Sequence, residues 1–95
     1  MLAIIVTHTI KPECIEKYQE LVRELAQASR KEAGCLGYNS FQSDEDARVH
    51  TLVEQWESKE ALDVHSKSAH FQQIVPQFKA LFAEPERAQW QQIIA

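Results

Sequence analysis

Residues 2–10 carry the tightest constraint in the chain: they alternate with a period of two, and both faces of the alternation are apolar. Leu2, Ile4, Val6, His8 and Ile10 fall on one face, and Ala3, Ile5, Thr7 and Thr9 on the other. This is the period of a β-strand, and neither face turns polar until Thr7, so the strand has to be covered on both sides. Residues 49–56 repeat the pattern, with His50, Leu52, Glu54 and Trp56 opposite Val49, Thr51, Val53 and Gln55. A small sheet that carries its helices on one face has only one cover of its own. Two-sided strands therefore call for a second one.

Between these strands the period changes. Lys11-Pro12-Glu13 opens a helix, with Pro suited to the first turn and Glu13 and Glu16 to its positive end. Ile15, Tyr18, Leu21, Val22, Leu25 and Ala28 then recur at three- and four-residue spacing, which predicts an amphipathic helix of about five turns. Gly34 is suited to a left-handed stop. Strand character resumes from Leu36 to about Ser43, and the polar run Ser43-Asp-Glu-Asp-Ala47 predicts a hairpin loop that leaves His50 exposed beside it. Ser58 can cap a short helix from Lys59. Phe71, Ile74, Val75, Phe78, Leu81 and Phe82 form a helical stripe, which Pro76 is expected to kink or restart. Residues 87–94 read as a last strand.

The order is β-α-β-β-α-β with a split second helix. It predicts an α+β, ferredoxin-like fold: a four-stranded antiparallel sheet with helices on one face. With 95 residues there is room for one domain, 1–95, and no second core. A second copy of the same sheet is the economical cover for the other face, so a homodimer, a dimeric α+β barrel, is expected.

Composition narrows the class of partner. Hydrophobic residues make up 44% and charged residues 25%, as in an ordinary globular chain. Net charge is -4 with acids and bases interleaved, which gives no electrostatic reason to expect nucleic acid or an anionic membrane. The apolar N-terminus is short and lacks a basic leader region, and no apolar run approaches the ~20 residues of a membrane helix. Cys14 and Cys35 make no disulfide framework, and the expected compartment is cytoplasmic.

Glu32-Ala-Gly-Cys-Leu-Gly-Tyr38 resembles the Glu-x-Gly-Cys-x-x-Tyr turn of the antibiotic-biosynthesis monooxygenase family. Glu54-Gln-Trp-Glu-Ser-Lys-Glu-Ala-Leu-Asp-Val-His65, continued by Ser68-Ala-His70-Phe71, is similar to that family's Glu-x-Trp…His segment. The resemblance follows the whole element order. It implies kinship with cofactor-free quinol and polyketide oxygenases, haem-degrading enzymes and isomerases of a phosphorylated quorum signal. The two-histidine segment looks closest to the quinol monooxygenase-like and quorum-signal-processing branches. In haem-degrading relatives an Asn, a Trp and a His support the cofactor; the matching places hold Thr7, His65 and Val75 here, so the resemblance implies no haem site of that type.

Each candidate has a plain reading beside its functional one. Trp56 is either a core aromatic or the wall of an apolar pocket. Glu54, on the same face, is either paired to a basic or helix-end group or is an acid or base with a raised pKa. His65, near the end of the short helix, is a satisfied core group or a base for a phenolic hydroxyl. His70 opens the next helix, whose dipole disfavours its cation. The two histidines are five residues apart and share no helix face, and no acid or cysteine stands at a supporting spacing, so no metal is expected. His8 can reach the same pocket, Tyr38 is a pocket hydroxyl or a packing residue, and Cys35 sits in no nucleophile elbow. Trp56, His65, His70 and Phe71 are expected to converge on one cavity.

The function expected from these residues is oxygenation of a quinol or other electron-rich phenol by dioxygen, with no metal, flavin or other cofactor. His65 or His70 would be the base, Glu54 its orienting group, and Trp56 and Phe71 the wall, with Tyr38 and His8 against the substrate. Isomerisation of a small, phosphorylated metabolite and ligand binding by a non-catalytic dimeric module remain as alternatives.

Overall fold

The computed structural model describes all 95 residues. Four strands, β1 (Leu2–Thr9), β2 (Cys35–Gln42), β3 (Val49–Trp56) and β4 (Arg87–Gln92), form one antiparallel sheet in the order β2-β3-β1-β4. Three helices cover one face: α1 (Ile15–Ser29), α2 (Lys59–Ser66) and α3 (Ala69–Phe78). This is the ferredoxin-like order expected from the alternation of periods. No helix is long and apolar enough to cross a membrane.

The alternation in β1 and β3 sets what faces the helices. Leu2, Ile4 and Val6 lie beside Leu52 and Trp56, and Tyr18, Leu21, Val22 and Leu25 of α1 close over them with Ile74 and Phe78 of α3. The opposite face keeps Ile5, Val49 and Val53 only half-buried and Phe41 exposed.

Three local expectations are corrected. α1 begins at Ile15, after a 3-10 turn at Pro12–Cys14, and ends at Ser29, so it is shorter than five turns and Gly34 closes a turn beyond it. The second helix is split at Lys67–Ser68, between the short helix that His65 nearly ends and the one that His70 opens, as expected, and Ser68 accepts from the Phe71 N–H; the kink or restart expected at Pro76 is absent, and α3 runs on through it. Pro76 is tolerated because the carbonyl it leaves unbonded, that of Gln72, lies on an exposed turn where water can replace the lost donor. His50 is 2% exposed, not exposed beside the hairpin: its Nδ1 meets the Arg48 carbonyl at 3.1 Å, its Nε2 meets the Gln19 amide at 3.1 Å, and Tyr18 packs edge-on against it. Burial of this satisfied imidazole holds its pKa below the usual range.

Gly34 does more than end a turn. Its φ is +84°, and a Cβ there would stand 2.6 Å from the Cβ of Ala61. The turn after α1 is thereby pressed against α2. Leu36 bulges out between Cys35 and Gly37, so β2 rejoins its register with β3 from Gly37 onward. Together these carry Glu32, just before the turn, to the side of α2 on which His65 stands.

Candidate active site

A cavity of about 370 Å³ lies between the sheet and the α2–α3 pair. Ile4, Val6 and Leu52 form its floor, and Leu62, Phe71, Val75 and Phe78 its roof. Its polar wall groups include Glu54, His65, Tyr38, His8 and Glu86. A more open cleft of about 610 Å³ adjoins it between α3 and residues 82–86. That cleft shares Val75, Phe78 and Glu86 with the cavity but gathers no buried polar groups, so the smaller, apolar cavity is the candidate site.

His65 is the centre of the arrangement. It stands in the last turn of α2, one residue before its end, and is 1% exposed. Its Nδ1 lies 2.5 Å from Oε2 of Glu32. A carboxylate only accepts, so Nδ1 carries the proton and Nε2 is left with a bare lone pair. That Nε2 is buried and bonded to nothing, while its ring borders the cavity. Burial holds the imidazole pKa below its ordinary value, outweighing the pull of Glu32 in the other direction. The result is a neutral imidazole, fixed in one tautomer, with its acceptor nitrogen free.

Trp56, His70 and Phe71 surround this ring without all reaching the cavity. Phe71 meets it edge-on at 5.2 Å between centroids and lines the cavity roof. Trp56 is wholly buried behind the imidazole at 4.6 Å and does not line the cavity. His70 stands on the outer side, where its Nε2 meets the same Glu32 oxygen at 2.9 Å. The expected four-residue convergence is therefore corrected: Phe71 and His65 form the wall, Trp56 backs it, and His70 holds Glu32 from outside. The reason is that the His65 ring, packed on Trp56 and held by Glu32, stands between Trp56 and the cavity, while His70 is drawn outward to Glu32.

Glu54 occupies the floor between Trp56 and His65. The Trp56 indole N–H donates to its Oε1 at 3.1 Å, and the same oxygen lies 3.8 Å from His65 Nε2. Burial dominates over that hydrogen bond and raises the carboxyl pKa to about 7. Near neutrality Glu54 is thus divided between an acid that can donate and a carboxylate that can accept. Tyr38, 1% exposed, completes this end, its phenol held in the neutral form by burial.

The other end of the cavity is closed by His8. Its Nε2 meets Glu86 at 2.6 Å and its Nδ1 meets the Tyr18 hydroxyl at 2.6 Å. Glu86 accepts from Nε2–H, and in neutral His8 the Tyr18 hydroxyl donates to Nδ1, so both ring nitrogens are engaged. The His8 N–H holds the Glu86 carboxyl below the usual range. His8 is a wall of the cavity and has no nitrogen free to act as a base.

Two of these residues lay outside the set picked from the sequence. Glu32 was visible as the first residue of the Glu-x-Gly-Cys turn, but 33 positions separate it from His65 and nothing local pairs them. Glu86 carries no signal: it is one acid in a polar loop, 78 positions from the histidine it binds.

Comparison with known proteins agrees with the fold. The family model described as antibiotic biosynthesis monooxygenase matches residues 1–77. YcnE of Bacillus subtilis (strain 168) is 32% identical over 76 residues, which is 80% of each chain. A solved structure described as an antibiotic biosynthesis monooxygenase is 32% identical and superposes with a TM-score of 0.93 over the whole of both chains. PA3566 from Pseudomonas aeruginosa is 31% identical with a TM-score of 0.90, covering 99% of this chain and 94% of its own.

Proposed function

Because the chain belongs to the antibiotic biosynthesis monooxygenase family, we propose that it oxygenates a quinol or another electron-rich phenolic small molecule with dioxygen, without a bound metal or flavin. One observation carries the reading: a buried, unpartnered His65 Nε2 beside an apolar cavity, with Nδ1 held by Glu32. A base so placed takes the phenolic proton, and Glu32 stabilises the imidazolium that results. The phenolate then gives one electron to dioxygen, and the radical pair closes a carbon–oxygen bond. For a quinol the ring hydroperoxide loses its carbon-bound proton, the O–O bond breaks, and water leaves. One oxygen atom stays on the product hydroxyquinone, the other goes to water, and the quinol supplies all four electrons. Protonated Glu54 is placed to donate to a developing oxyanion or peroxide, and the apolar walls exclude bulk water.

His65 is the base in this reading and Glu32 its orienting group, the role first given to Glu54. His70 supports Glu32. Phe71, Tyr38 and His8 contact the substrate, and Trp56 fixes Glu54. Oxygen uptake by metal-free protein with a panel of quinols tests it; uptake is expected, and its absence across the panel removes the oxygenase reading.

A second reading uses the same pair differently. An acid at Glu54 and a base at His65, 3.8 Å apart, also suit proton shuffling in an isomerisation. Such turnover would persist without oxygen, so anaerobic assay separates the two. In either case the active unit is a homodimer that covers the Ile5–Val53 face of the sheet.

A further inference from the structure

We propose that Glu32, His65 and His70 form a binding site for a divalent transition-metal ion, and that its occupancy reverses the hydrogen-bonding role of the His65 nitrogen at the cavity. The five-residue spacing of the histidines had argued against a metal, because they share no helix face and no acid stands nearby in sequence. The two helices that carry them nevertheless bring them together. The chain breaks at Lys67–Ser68, the Ser68 hydroxyl donates to the His65 carbonyl at 2.7 Å, and the two imidazole centroids stand 6.0 Å apart with the rings tilted by 50°. The acid missing from the local sequence comes from the turn after α1.

His65 Nδ1, His70 Nε2 and a Glu32 oxygen all lie within 4.8 Å of one another. Two imidazoles and one carboxylate are the donor set of zinc, cobalt and nickel sites rather than of calcium or magnesium. With metal–ligand bonds of about 2.0–2.2 Å, neighbouring ligand atoms in a tetrahedral site stand roughly 3.3 Å apart. Glu32 Oε2 is now 2.5 Å from one nitrogen and 2.9 Å from the other, while the two nitrogens stand up to 4.8 Å apart, so binding draws the two rings toward each other and the carboxylate outward. The side chains of Glu32 and His70 keep 12% and 22% exposure on the outer side, which leaves the ion a way in and a fourth position for water.

The consequence for the cavity follows from proton counting. Without metal, Nδ1 of His65 carries the proton and Nε2 is a bare acceptor. A metal ion takes the lone pair of Nδ1, so the proton of the neutral ring moves to Nε2. His70 shifts its own from Nε2 to Nδ1. No proton is gained or lost in either neutral ring, but the cavity now meets a donor, with Glu54 Oε1 at 3.8 Å as its nearest acceptor. Glu32, recruited to the metal, no longer orients the ring. The ion-binding site stands on geometry alone; the expectation that occupancy inhibits turnover rests on His65 being the base.

The test uses full-length protein without a histidine tag, freed of metal by chelation and titrated with Co²⁺ and Zn²⁺. Calorimetry should show one ion per chain with micromolar or tighter affinity, and Co²⁺ should develop visible d–d absorption. Glu32→Gln and His70→Ala should each weaken binding at least tenfold, with circular dichroism showing that the variants are folded; His70→Asn serves if His70→Ala is not. Absence of saturable binding, or binding indifferent to these substitutions, overturns the site. If the ion binds and Zn²⁺ abolishes quinol-dependent oxygen uptake, the switch is supported. If it binds and uptake is unchanged, the switch is overturned. If it binds but no quinol is oxidised with or without it, the site stands and the oxygenase reading fails.

Discussion

In the proposed reaction His65 serves as a base only while something else holds its Nδ1 proton, and that dependence makes Glu32 as testable as the histidine. Replacing His65 by Ala should lower kcat by about 10²–10⁴, the usual reach of a positioned base, and leave the fold intact. Glu32→Gln keeps the shape but removes the charge that stabilises the imidazolium, so kcat should fall within the same range with KM little changed. A Glu32→Gln variant with full activity in steady-state oxygen uptake would remove the dyad. At the other end, the Glu86 carboxyl is depressed by the His8 N–H, so its contribution to stability is present above the ordinary Glu value of about 4.3 and is lost as pH falls through the lower folded value. The thermal midpoint of wild type should therefore exceed that of Glu86→Gln at neutral pH, and the gap should close in acid. Glu54, Trp56 and His8 were legible in sequence because alternation puts them on the helix-facing side of their strands, and His65 because it stands in the family-like Glu-x-Trp…His segment. Their carboxylate partners were not. A hydrogen bond between positions 32 and 65 exists only once the turn has packed on α2.

The turn that delivers Glu32 depends on Gly34, and the helices it packs against depend on two serine caps. Gly34→Ala forces a residue with a Cβ into a left-handed conformation, at about 1–2 kcal/mol, and drives that Cβ into Ala61. For a chain of this size about 1 kcal/mol moves Tm by about 4–8 °C, so a drop of at least that order is expected in a thermal melt. It should be accompanied by loss of kcat, because the same turn places Glu32. Ser68→Ala should cost about 1 kcal/mol, since it deprives the Phe71 N–H of its cap and the His65 carbonyl of a donor. A variant as stable as wild type would show that the α2–α3 break is held by packing alone. Ser58 and the period-two strands announced these elements correctly. The split between His65 and His70 was legible too, but Pro76 neither kinks nor restarts α3, because a proline near a helix end loses only one exposed hydrogen bond, whereas a serine cap starts a new helix outright.

At the scale of the whole molecule, the order of periods in the chain was enough to give the four-stranded antiparallel sheet and its helical cover. One face of that sheet remains to be accounted for. Ile5 and Val53 are direct partners across β1 and β3, each half-buried, with Phe41 exposed at 55% on the neighbouring strand. A specific interface needs about 1,000 Å² or more of contact, and this sheet face is the broad, flat surface able to provide it. Sedimentation equilibrium at micromolar concentration should find a dimer. Val53→Asp would place a carboxylate against the partner's apolar face, where burying a charge without a counter-ion costs several kcal/mol. In a separated protomer the same carboxylate would face water. The substitution should therefore weaken dimerisation by a hundredfold or more while the far-UV circular dichroism of the protomer is retained. A Val53→Asp protein that stays dimeric at the same concentration would place the interface elsewhere, and a monomeric wild type would leave the apolar face of β1 and β3 without its cover.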